Sequence, residues 1–179
     1  MRNKRILFYE MAGAVFIIIF GSALHFTFEW SGRQVIVGVF SAVNESVWEH
    51  LKLGFWPALA FALLEFKHLR KAASNFLLAK TVGIYLIPAT IIVLFYSYTA
   101  ILGESILAID ILIFIIAIIV GQAVSYRILT GKMLPPKLGF VALVALLLLA
   151  LAFVFFTFYP PQFQLFQDPV TGEYGIVNH

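Results

Sequence analysis

The 179-residue sequence contains no cysteine. That excludes disulfides, thiolate metal sites and thiol nucleophiles together, so any metal must be held by His, Asp or Glu. Charge is scarce as well, at 12% of residues against roughly 25% in a typical soluble domain. Also missing are an HExxH helix, a Gly-rich phosphate loop, a serine elbow and any nucleic-acid motif. What stands in their place is hydrocarbon, with 62% hydrophobic residues and a mean hydropathy of +0.99. A spanning helix needs about 20 apolar residues. The composition therefore points to an integral membrane protein forming a single transmembrane domain, residues 1–179.

Long apolar runs predict an all-α fold, a bundle of five transmembrane helices over 6–28, 45–66, 76–102, 105–126 and 138–158, with a tail at 159–179. The opening "MRNKR" before an apolar run is reminiscent of a signal peptide. Glu10 interrupts the run, however, and the run is too long for an h-region, so it reads as a retained span. Pro57 and Pro88 fall inside the second and third spans, where a packed bundle converts the lost donor into a kink. No internal repeat is evident, and an odd number of spans argues against the equal halves of inverted-repeat transporters.

Charge orients the bundle. With the N-terminus cytoplasmic, ten of the twelve Lys and Arg fall inside, among them Arg70, Lys71 and Lys80, and only Arg33 and Lys52 fall outside. The acidic residues divide the other way, so the two halves carry +8 and −5, together the net +3. This distribution predicts N-in, C-out. The pI of 9.2 then reflects topology rather than nucleic-acid binding, and membrane lipids with acidic headgroups are the expected partners.

In the outer half, "VNESVWEHLKLGFWP", residues 43–57, gathers Asn44, Glu45, Ser46, Glu49, His50 and Lys52 at the start of the second span. Asn44 is positioned as an N-cap, and Glu45 and Glu49 suit the positive end of the helix dipole. Helical spacing puts Glu45, Trp48, Glu49, Lys52 and Trp56 on one face, with Ser46, His50 and Leu53 on a neighbouring one. Lys52 is spaced to pair with Glu49, and the tryptophans suit an interfacial belt. From the first span, His25 and Glu29 project four residues apart at the same depth; from the fourth, Glu104 and Asp110 reach that level. Asp110 lies more than a turn into "SILAIDILIFIIAIIV" and needs a partner, for which Lys52, His25 and His50 are available.

This constellation admits three readings. In the first, His25 and His50 ligate a divalent metal, most naturally zinc, with Glu29 as a further ligand. Glu45 or Glu49 serves as ligand or general base, and Asp110 as a ligand or an orienting group behind the ligands. Such an ion would bring bound water to a pKa of about 7. In the second, the same groups only fasten helix ends together. In the third, they form a metal-free site for a polar or cationic ligand. Asn44, Trp48, Lys52 and Arg33 are the candidate substrate contacts.

Between the first two spans, "SGRQVIVGVFSAV" is too short to span and too apolar for a free loop. It predicts a short re-entrant or interfacial segment roofing the cavity, where Arg33 could bind an anion or simply snorkel. The tail "YPPQFQLFQDPVTGEYGIVNH" has no Lys or Arg, stops the last helix at Pro160 and Pro161, and carries turn signals at Asp168-Pro169 and Thr171-Gly172. It is expected to be ordered to about Ile176 and, as a lid, would bring Asp168 or His179 to the site. Gly13, Gly21, Gly83 and Gly121 are placed to permit close helix packing, and Gln122, Ser125 and Tyr126 to bond neighbouring helices.

The stretches "HFTFEW", "VNESVWEHLKLGFWP" and "FTFYPP…FQDPVTGEYGI" resemble those characteristic of a family of small bacterial multipass membrane proteins known only as a domain of unknown function. The resemblance runs from the first span through the tail and implies a bacterial inner or plasma membrane. It supplies no activity, substrate or site residue. From the residues themselves, the leading expectation is metal-dependent hydrolysis or group transfer on a lipid or lipid-linked substrate. The alternatives are a solute-binding or transport component using the same acidic cavity, and a structural or immunity-type membrane protein.

Overall fold

The computed structural model describes residues 2–69, 73 and 75–176. Its elements are α1 (Arg2–Trp30), α2 (Val35–Gly38), α3 (Val47–Leu69), α4 (Phe76–Leu102), α5 (Leu107–Thr130) and α6 (Pro136–Phe158), followed by a 3-10 turn, Gln164–Phe166. Among the described residues there is no strand, only one antiparallel bridge between Gln167 and Tyr174. The fold is all-α, and the five long helices match the five predicted segments to within four residues at each end. α3 and α4 run through Pro57 and Pro88 without ending. Arg70, Lys71 and His179, used above for orientation and for the lid, lie outside the described residues.

Four helices, α1, α4, α5 and α6, are each long and apolar enough to cross a membrane, which suggests a membrane protein. α3 is not among them, because Glu49, Lys52, Glu65 and Lys67 dilute its 23 residues. Its physical character differs accordingly. Ile19, Ile101, Leu107, Phe140 and Leu151 point outward from the apolar helices as exposed hydrocarbon, while α3 buries Glu49, Lys52 and Glu65. Bare apolar surface on that scale suits lipid rather than water.

α3 packs against α1 and α4, α4 against α5 and α6, and α1 against α5. The core along α3 is Trp48, Leu51, Phe55, Ala58 and Ala62, meeting Ile17 of α1, Ile84 and Ile87 of α4 and Phe153 of α6. α4 and α5 cross closely where two glycines face each other. A Cβ on Gly121 would lie 2.6 Å from the Gly83 carbonyl, and one on Gly83 would lie 2.7 Å from the Gly121 carbonyl. Asn75 ties off the far end by donating to the Ile128 and Lys132 carbonyls and accepting from the Leu134 N–H. The Ile128 carbonyl in the last turn of α5 thereby gains a partner that a helix end lacks on its own.

Between α1 and α3 the chain makes the single turn α2 and then a buried stretch, Ser41, Ala42 and Val43. The Ser41 hydroxyl accepts from the Phe28 N–H at 3.0 Å and donates to the Leu24 carbonyl, fastening this stretch to the end of α1. After α6 the tail returns to the same place. Asn44 donates to the Gly175 carbonyl at 2.9 Å, the Glu45 N–H reaches Asp168 at 3.3 Å, and Phe166 packs on Trp48. The tail thus packs over the start of α3 through Phe166, Asp168 and Gly175.

Candidate metal centre at one end of the bundle

His25 comes from the last third of α1, and His50 from the first turn of α3. The α3 start is built by Ser46, whose hydroxyl accepts from the Glu49 N–H at 3.4 Å, and by Asn44, whose side-chain oxygen accepts from the Ser46 N–H at 2.9 Å. Asn44, expected as the helix cap, instead shapes the turn before it, and Ser46 takes the capping position.

Ser46 also orients the imidazole. His50 Nδ1 lies 2.8 Å from the Ser46 carbonyl, and because a carbonyl only accepts, Nδ1 carries the hydrogen; in the neutral imidazole Nε2 then presents a lone pair. That Nε2 faces Glu45 Oε2 at 3.5 Å. Two acceptors at this separation repel unless a proton or a cation lies between them. The His25 ring stands edge-on to His50 with centroids 5.0 Å apart, and its Nδ1 is buried without a hydrogen-bond partner. One ligand atom from each of His25, Glu45 and His50 falls within 4.8 Å of the others. Tetrahedral zinc ligands sit at about 2.1 Å from the ion, hence about 3.4 Å apart. Side-chain torsions on the half-exposed His25 and His50 and the exposed Glu45 can close that difference.

A family profile matches residues 2–176. The chain belongs to the DUF6512 family, a family of unknown function. No curated protein and no solved structure matches it. This DUF6512 member therefore has to be read from its own geometry.

Beside the three residues opens a cleft of about 150 Å³ lined by His25, Glu29, Arg33, Val43, Glu45 and Asp168. Its rim is set by the end of α1. The Arg33 N–H reaches the Phe28 carbonyl and the Gly32 N–H the Glu29 carbonyl, both at 3.0 Å, with Gly32 at φ 72°. This is a glycine-stopped helix end. It continues into Arg33 at φ 62°, an uncommon conformation for a residue with a side chain. The turn aims the guanidinium back along the helix, where Nε donates to Glu29 at 2.9 Å. Glu29, expected as a metal ligand, is instead the exposed partner of Arg33 on the cleft wall, and Glu45 takes its place beside the histidines. Asp168 also lines the cleft, but its oxygens already accept from the Glu45, Val170 and Thr171 N–H groups. It braces the tail against α3.

Other expected site residues lie elsewhere. Lys52 is fully buried and pairs with Glu49 at 2.5 Å, also donating to the Gly38 carbonyl at 2.7 Å and the Thr157 hydroxyl at 2.9 Å. Glu49 further accepts from the Val43 N–H at 3.0 Å. The i, i+3 pairing of these two residues is as the spacing required. Their burial corrects the roles of Glu49 as base and Lys52 as substrate contact, because neither reaches the cleft. Trp48, expected against substrate, is buried among Phe153, Phe156 and Phe166. Asp110, expected to join the histidines or Lys52, instead accepts from the Tyr98 hydroxyl at 2.5 Å. The same hydroxyl accepts from the Ile106 N–H, so this contact organises the α4–α5 turn. Thr157 and Tyr98 carry the Lys52 and Asp110 arrangements and went unread in the sequence, where a lone hydroxyl in an apolar run gives no sign of which helix it will meet.

Proposed function

We propose that this protein is a five-span integral membrane protein of the bacterial plasma membrane, N-in and C-out, that carries a divalent-metal site at its outer end. α3 is the fifth span in this reading, its Glu49, Lys52 and Glu65 turned inward to ion-pair partners, and the α2 segment lies at the interface. His25, His50 and Glu45 hold the ion, with zinc the best match to two imidazoles and a carboxylate. The observation that carries the proposal is the approach of His50 Nε2, the nitrogen left free for a ligand once Nδ1–H is turned to Ser46, to Glu45 Oε2 at 3.5 Å, with His25 alongside. A cation there turns a repulsive contact into an attractive one.

The reaction class that fits is metal-dependent hydrolysis or group transfer on a lipid or lipid-linked substrate. Three protein ligands leave a fourth position open, and an ion so held supplies an activated water and polarises an oxygen of the substrate. The chain's own residues do the rest. Ser46 fixes the imidazole of His50, Arg33 offers its remaining N–H donors to an anionic headgroup, and Glu29, exposed on the cleft wall, can take a proton from the attacking water. A polar cleft opening beside apolar helices suits a substrate that has a headgroup and a tail.

The test is elemental analysis of detergent-purified protein after zinc loading and desalting, with His25→Ala and His50→Ala as comparisons. The expected result is one zinc per chain in the wild type and loss of it in both variants, with helical circular dichroism unchanged. Wild-type protein that holds no zinc after loading would remove the metal reading and leave the cleft as a metal-free headgroup site.

A further inference from the structure

At the opposite end of the bundle, about 22 Å from His25 along α1 at 1.5 Å per residue, four helices meet around three buried charges. Glu10 of α1, Glu65 of α3 and Lys80 of α4 are each under 5% exposed. Lys80 Nζ donates to Glu10 Oε1 at 2.6 Å and also contacts Glu65 Oε2. From α5, the fully buried Ser125 hydroxyl donates to Glu10 Oε1 at 3.0 Å, and the Gln122 amide donates to the Glu10 backbone carbonyl at 3.1 Å. Close helix approach builds the cluster. A Cβ on Gly13 would lie 2.3 Å from the Gln122 side-chain nitrogen, and one on Gly83 would lie 3.1 Å from Ser125 Cβ.

The charges do not balance. Two carboxylates face one ammonium, and no further cation among the described residues contacts either carboxylate. Oxygens are left over too, since Glu10 Oε2 and Glu65 Oε1 are buried with no hydrogen-bond partner. A net negative charge held among apolar helices is costly, and two carboxylates sharing one site resolve the cost by sharing a proton. Lys80 already fills the position a metal ion would take between them. We propose that Glu10 and Glu65 share one exchangeable proton beside Lys80, making this cluster a proton-binding site of the bundle.

The remaining polar groups around it fit that role. Tyr9 precedes Glu10, and His68 lies one turn beyond Glu65. Their rings stack at 5.6 Å, with His68 exposed. Tyr126 of α5 packs in the same cluster as Tyr9, and Phe76 of α4 lies under Lys80 at 5.8 Å. A hydronium ion on the His68 side loses one O–H bond as a carboxylate oxygen gains one, leaving a water molecule, and the reverse transfer releases the proton. This site is independent of the metal centre.

Infrared difference spectroscopy of the full chain in lipid nanodiscs at neutral pH tests the proposal. The readout is the C=O stretch of a protonated carboxyl, identified by its downshift in D₂O. Wild type is expected to show one such band that both Glu10→Gln and Glu65→Gln abolish, because the carboxylate left behind is then neutralised by Lys80. Lys80→Met is expected to double it. Should the substitutions unfold the protein, carboxyl-¹³C NMR of the unsubstituted chain, filtered through dipolar contact to the Lys80 ¹⁵Nζ, reads the same state, with one protonated and one ionised glutamate expected. Two ionised glutamates beside Lys80, or a band unchanged in both Gln variants, would overturn the proposal.

Discussion

Replacing Lys52 by methionine tests how the buried polar end of α3 is held. Its ammonium makes three contacts, to Glu49 at 2.5 Å, to the Gly38 carbonyl at 2.7 Å and to the Thr157 hydroxyl at 2.9 Å, and none of its surface reaches solvent. Methionine fills much of the same space, so the change is chiefly electrostatic. It leaves Glu49 as a buried carboxylate with the Val43 N–H still donating to it, and removing one member of such a pair costs about 3–5 kcal/mol. At about 2–4 °C per kcal/mol for a chain of this size, the unfolding midpoint should fall by roughly 6–20 °C. Thermal unfolding in detergent, followed by tryptophan fluorescence, reads it directly, since Trp48 and Trp56 lie on the same helix. The double variant Lys52→Met with Glu49→Gln removes both charges and should recover most of the loss. The residue is about 1–3 kcal/mol for the Gly38 carbonyl left without its donor. A single variant within about 0.5 kcal/mol of wild type, the range of an ordinary surface change, would refute the reasoning. So would a double variant no better than the single one.

Two further outcomes follow from packing. Gly121→Ala sets a methyl against the Gly83 backbone, 2.6 Å from its carbonyl oxygen, and should cost about 1–3 kcal/mol through overpacking; Gly139→Ala, in α6 with nothing within 4 Å, should stabilise by about 0.5–1 kcal/mol. The pair is read as opposite shifts of the unfolding midpoint. Phe166→Ala removes the ring that covers Trp48 at 4.7 Å and should cost about 3–5 kcal/mol, with a red-shifted tryptophan emission as the tail lifts from the start of α3.

The long helices were legible because each is written as a continuous apolar run ending at polar or turn residues. Phe76–Leu102 agrees with its predicted ends at both residues, stopped by Gly103 at φ 82°. The Glu49–Lys52 pair was legible for a similar reason, since i, i+3 contact is a property of one helix alone. What the sequence could not supply is rotation between helices. Asp110 was expected to turn toward α1 and α3, yet it meets Tyr98 across the α4–α5 turn, a contact that depends on how two helices are phased. The same phasing put Glu45 rather than Glu29 beside the histidines and drew Glu10, Glu65 and Lys80 together. These last three are 15 or more residues apart in sequence and share no spacing signature.

The order in which the chain is made gives the Lys52 network a further consequence. Lys52 emerges from the ribosome 105 residues before Thr157, and the Asp168 that receives the Glu45 N–H follows Glu45 by 123. α3 is therefore synthesised with Glu49 and Gly38 already in place for Lys52 but before Lys80, Thr157 and Asp168, which complete its polar contacts, while α1, α4, α5 and α6 are each long and apolar enough to cross a membrane. The contacts of the third helix stay incomplete until those later segments are made. It can lock only when the last helix and the tail arrive, so the end of the chain acts as the latch for its middle.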